Sequence, residues 1–113
     1  MKYQHAKLAK GTWQKLSLVE QMTHIGSEME RAMAWHQKGN PDYSQQAFYR
    51  GLELLQLSKQ KASKNQIKEL ARLYEVLVDY FAGDNQYQSS DKLWQQYFDS
   101  FAYAAALKRQ EGN

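Results

Sequence analysis

Residues 63–81 read SKNQIKELARLYEVLVDYF, and the spacing of the apolar side chains in this stretch predicts an α-helix. Ile67, Leu70, Tyr74, Leu77 and Phe81 recur every three or four positions, which gathers them on one face of a helix with 3.6 residues per turn. A strand would scatter them over both faces. Ser63-Lys64-Asn65-Gln66 supplies the start signal: the serine hydroxyl can accept from an orphan amide of the first turn while the glutamine side chain reciprocates. Gly83-Asp84-Asn85 supplies the stop.

Three more segments read the same way. Upstream, the capping box Ser17-Leu18-Val19-Glu20 opens a helix with Val19, Met22, Ile25, Met29 and Met33 on one face, and Lys38-Gly39-Asn40-Pro41 closes it. Asp42-Tyr43-Ser44-Gln45 is expected to cap the next helix, whose inner face would carry Ala47, Phe48, Gly51, Leu52, Leu54 and Leu55. Downstream, Ser89 or Ser90 caps a fourth helix bearing Trp94, Tyr97, Phe98, Phe101 and Ala105. Lys108 and Arg109 fall in its last turn, where they suit the negative end of the helix dipole. Short loops make sequential helices antiparallel neighbours, so the expected fold is all-α: an antiparallel up-and-down four-helix bundle. Stacked hairpins of the tetratricopeptide kind need three or more repeats to bury their faces, and only two hairpins are available. Residues 12–113 form the expected single domain. Residues 1–11 show no period and are expected to be a short, mobile basic arm, with Trp13 and Leu16 folded back onto the end of the bundle.

With 113 residues, 42% apolar and 24% charged, the chain suits one small globular domain and neither a disordered nor a fibrous protein. It has no cysteine, which excludes a disulfide framework, a zinc-thiolate site and a thiol nucleophile. No stretch approaches the roughly 18 apolar residues that span a bilayer, and the lysine-dotted beginning has no signal-peptide core. A cytoplasmic protein without a membrane partner is the expectation.

The net charge of +3 is unevenly spread. Lys2, Lys7, Lys10 and Lys15 have no acid among them, and residues 18–113 come to −1. A second acid-free group, Lys59, Lys61, Lys64 and Lys68, straddles the loop between the second and third helices. In a bundle of alternating direction this loop shares an end with the start of the first helix, so both groups should form one basic end. Lysines are strongly hydrated point charges, which suit solubility or a sequence-independent contact with phosphates better than bidentate recognition.

Glu20, His24 and Glu28 share one face of the first helix, but a di-iron bundle needs Glu-x-x-His on two helices and further glutamates, so a solvated charged row is expected and no metal or cofactor is implied. Glu28/Arg31, Arg50/Glu53 and Arg72/Glu75 place an acid three residues from an arginine, and the expectation is surface or boundary ion pairs, with a network shared between helices or a polar pocket as the alternative. Met22, Met29 and Met33 are expected in the core. Gly26 and Gly51 each cost about 1 kcal/mol within a helix relative to alanine, which close helix approach would offset. Trp94, Tyr97, Phe98, Phe101 and Tyr103 cannot all face one seam, so either some of them lie half-exposed or the helix is apolar on two sides and also contacts another subunit; the group is the candidate interface.

Arg31-Ala32-Met33-Ala34-Trp35-His36 has the Arg-x4-His spacing of HEPN proteins, and the chain resembles that family in this motif and in fold class. The resemblance implies a small, often dimeric bundle acting as a ribonuclease or as the partner of a minimal nucleotidyltransferase. Arg31 would then bind phosphate and His36 would assist metal-independent RNA cleavage. The motif falls early in this chain, whereas the family carries it late, and Lys38 stands where the family often has tyrosine. In size, bundle form and basicity the chain also resembles the accessory variability determinant proteins of diversity-generating retroelements, oligomers that bind a reverse transcriptase and nucleic acid. The residues favour a non-enzymatic, homo-oligomeric adaptor or accessory subunit with protein partners and weak nucleic-acid contact. An HEPN-like ribonuclease is the alternative.

Overall fold

The Glu20 amide donates to the Ser17 hydroxyl at 3.2 Å while the Ser17 amide donates to the Glu20 carboxylate, so the first helix begins at the residue the capping box indicates. A computed structural model describes residues 11–111, and in it α1 (Leu18–Gln37), α2 (Pro41–Ser58), α3 (Lys64–Ala82) and α4 (Asp91–Glu111) account for nearly all of the chain. Single turns of tighter helix, Trp13–Lys15 and Lys59–Lys61, precede α1 and α3, and no strand occurs among the described residues. Of the expected arm only Gly11 lies within the described residues. No described helix is long and apolar enough to cross a membrane.

Two local expectations shift. Helix α2 starts two residues early, because Asn40 accepts from the Tyr43 amide and Pro41, which has no N–H to leave unpaired, takes the first helical position. Asp42 falls in the first turn, where its charge suits the positive end of the helix. On α3 the buried line is Leu70, Leu73 and Leu77, while Ile67 is 41% exposed. Ile67 sits in the first turn, beyond the end of the core. The α4 cap is Ser90, which accepts from the Leu93 amide at 3.2 Å.

Helix α1 is the centre of the packing and approaches both α2 and α4 closely. Glycine makes each approach feasible. A Cβ on Gly26 would fall 2.8 Å from Phe98 Cβ, and one on Gly51 would collide with the Met29 methyl. Contacts along each pair run in opposing order. From the start of α2 onward, Ser44 bonds Ala32, Arg50 bonds Glu28 and Ser58 bonds Trp13. Along α4, Asp91 accepts from Gln37, Phe98 covers Gly26, and Lys108 lies near enough to Glu20 to favour its charged form. Helix α3 joins mainly through side chains: Phe81 stacks on Phe48 with ring centres 4.9 Å apart, and Tyr80 donates to Asp91 at 2.5 Å. Burial, with that bond and the Asp91 charge, pushes the Tyr80 hydroxyl pKa up to about 12. Trp13, Ile25, Met29, Met33, Leu55, Leu57 and Leu77 are wholly enclosed, and Met22 is buried with them.

Candidate functional site

The turn ahead of α1 is clamped onto the end of α2. The Trp13 indole is fully buried and donates to the Ser58 hydroxyl at 3.0 Å, and Gln14 donates to the Leu57 carbonyl at 2.6 Å and to the Gln60 side chain at 3.2 Å. Gln21, itself buried, closes the arrangement by donating to the Trp13 carbonyl at 2.9 Å. These bonds leave no buried side-chain polar atom of the turn unmatched, which helps to hold a short irregular segment against a core.

This clamp sets Lys15 beside the α2–α3 loop. Lys61, Lys64 and Lys68 are exposed there with Lys15, and half-buried Lys59 lies 5.0 Å from the centre of the Tyr74 ring, a cation–π contact. Lys108 is at the same end, through its proximity to Glu20. Glu20 is held below the usual carboxylate range chiefly by its bonds to Ser17, with Lys108 and His24 adding to the effect. Between the Trp13 turn and the loop lies a shallow depression of about 220 Å³, lined by Gln14, Leu16, Gln21, Ser58, Lys61 and Gln66 among others. Lys2, Lys7 and Lys10 fall outside the described residues.

Around Glu28 the expected surface ion pairs give way to a cluster between helices. Glu28 is buried, and its two oxygens accept from Arg31, one turn along α1, and from Arg50 Nε of α2 at 2.5 Å. The close approach at Gly51, whose Cβ would lie 3.4 Å from Glu28 Cβ, is what encloses the carboxylate. On α3, Glu75 accepts from the Tyr87 hydroxyl at 2.9 Å. A cleft of about 300 Å³ beside the cluster is lined by Trp13, Leu16, His24, Ser27, Glu28, Arg31 and Leu54. Arg31 and His36 lie five residues apart, about 140° around the helix; Arg31 faces this cleft, and His36 is exposed in the last turn of α1. His24 shares the cleft with Arg31 and tilts against the Trp13 ring at 5.8 Å. Among the described residues no group of three or more His, Asp or Glu could hold a metal ion.

The aromatic group of α4 divides. Trp94 and Phe98 are buried in the chain's own core with their rings stacked, and Phe101 is half-buried. Tyr97 and Tyr103 are exposed, as are Leu93 and Leu107, two aliphatic residues outside the aromatic pattern.

Compared with protein-family models, curated proteins and solved structures, the chain matches none.

Proposed function

We propose that this protein is a non-enzymatic helical adaptor, an antiparallel up-and-down four-helix bundle that assembles with copies of itself and touches nucleic acid through its lysine end. The opposing order of contacts along α1–α2 and α1–α4 supports the topology. One observation carries the functional reading. The bonds of Trp13 and Gln14 to the end of α2 gather Lys15 with Lys59, Lys61, Lys64 and Lys68, across a stretch of residues 54–68 that contains no acid. Phosphates of a nucleic-acid backbone fit that arrangement. Lysine point charges neutralise them without reading sequence, and the expected affinity is that of a non-specific contact, about 10⁻⁴ to 10⁻⁶ M at physiological salt. Fluorescence anisotropy with mixed-sequence RNA tests the reading: binding should be lost when Lys59, Lys61 and Lys64 are together changed to glutamate.

A further inference from the structure

Helix α4 carries two apolar lines. The inner one, Trp94, Phe98, Phe101 and Ala105, packs into the core. The outer one, Leu93, Tyr97, Ser100, Ala104 and Leu107, steps by four and three residues alternately, the spacing of a helix-pairing seam. All five are exposed: Leu93 is 55%, Tyr97 40% and Leu107 42% accessible.

From this seam we infer that the protein forms a two-fold dimer in which α4 pairs antiparallel with α4 of a second copy, with the axis at Ser100. The inference deepens the assembly part of the proposed function and rests on it. Two observations choose this occupant and this direction. The seam is self-complementary when reversed: Leu93 meets Leu107 of the second copy, Tyr97 meets Ala104, and Ser100 meets Ser100. Each large ring thus faces a small side chain, and a two-fold interface requires that match of one patch with itself. The molecule is also electrically polar along this axis. Lys15, Lys59, Lys61, Lys64, Lys68, Lys108 and Arg109 lie towards one end with Glu20, Glu69 and Glu111, a net of +4, and Asp42, Asp79, Asp84 and Asp91 lie towards the other with Lys38 and Lys92, a net of −2. Antiparallel pairing sets the basic end of one copy beside the acidic end of the next, whereas parallel pairing would set the basic ends together. It also leaves the lysine groups at opposite poles of the dimer, facing solvent. Five small layers make a modest interface, so the dimer is reversible.

The absence of cysteine allows a direct test on the full chain. Sedimentation should show the mass rising with concentration from 13.2 kDa towards twice that value. Leu93→Glu and Leu107→Glu, both at accessible positions, should hold it at the single-chain mass with an unchanged circular dichroism spectrum. Under mild oxidation Ser100→Cys should cross-link to itself, since helix axes about 8–10 Å apart bring facing residues within disulfide reach. Leu93→Cys should not, because its counterpart lies about 21 Å away along the antiparallel axis. Self-cross-linking of Leu93→Cys would overturn the direction, because parallel pairing sets every seam residue opposite itself. A dimer that survives both glutamate variants would overturn the seam and spare the assembly reading, and a single-chain mass at the highest soluble concentration would overturn both. The Lys59, Lys61 and Lys64 reversals should leave mass and cross-link intact, which separates failure of the nucleic-acid reading from failure of the seam.

Discussion

Trp13 donates its indole N–H to the Ser58 hydroxyl at 3.0 Å, across 45 residues of chain. Both residues are buried, so neither group has water to fall back on. Ser58→Ala leaves the indole N–H without a partner and should lower stability by about 1–3 kcal/mol in urea unfolding. Trp13→Ala empties a fully enclosed site as well and should cost about 3–5 kcal/mol.

Glu28 separates two kinds of ion-pair energetics. Its carboxylate is buried between two arginines, while the Arg31 side chain is 58% exposed. Glu28→Ala removes two charge-assisted bonds at once and should cost about 2–3 kcal/mol. Arg31→Ala removes a solvent-screened partner and should cost under about 1 kcal/mol. Equal losses in the two variants would contradict the described burial.

Glu30 on α1 faces Asp99 on α4. Burial, followed by the Asp99 charge and a hydrogen bond shared with it, raises the Glu30 carboxyl above its usual value of 4.5. A carboxyl raised on folding binds its proton more tightly in the folded state. Its contribution therefore favours folding fully below the unfolded value and is lost as pH rises through the folded one. Glu30→Gln should be more stable than the parent at neutral pH, by under about 1 kcal/mol because the site is mostly exposed. The difference should vanish below the ordinary carboxyl range in unfolding curves taken across pH.

The local signals legible in the sequence were those written within a few residues. Ser17 with Glu20 and Ser63 with Gln66 announce α1 and α3 through side chains that reach only one turn, and both capping boxes form. At the start of α2, Asp42 and Gln45 mimic a box two residues beyond the true cap, whereas Pro41 favours the helix beginning beneath it. Leu73 and Ile67 could not be ranked from spacing alone, since which edge of a stripe is covered depends on where the helix meets the body. Burial of Glu28 was illegible for a related reason: it follows from Gly51 and Arg50, more than 20 residues away. The α4 group was legible as an excess of aromatic side chains. Its division was not, because inner and outer lines differ by only one residue in register.

Ribonuclease activity is expected to be absent. Arg31 bonds the buried Glu28, and His36 is set about 140° further round the helix. Incubation of the purified chain with single-stranded RNA in the presence of a chelator should give no cleavage, and cleavage lost in both Arg31→Ala and His36→Ala would reverse the ranking of adaptor over enzyme.

The central claim, that the lysine end contacts a phosphate backbone, is tested most directly by the salt dependence of binding between the full chain and a mixed-sequence single-stranded RNA. Each neutralised phosphate of a single strand contributes about −0.7 to the slope of log affinity against log salt, so four or five lysine contacts predict a slope of about −3. Changing Lys59, Lys61 and Lys64 to glutamate should bring that slope close to zero while the helical spectrum is unchanged. Binding that is absent even at low salt, or that keeps its slope in the triple variant, would contradict the account.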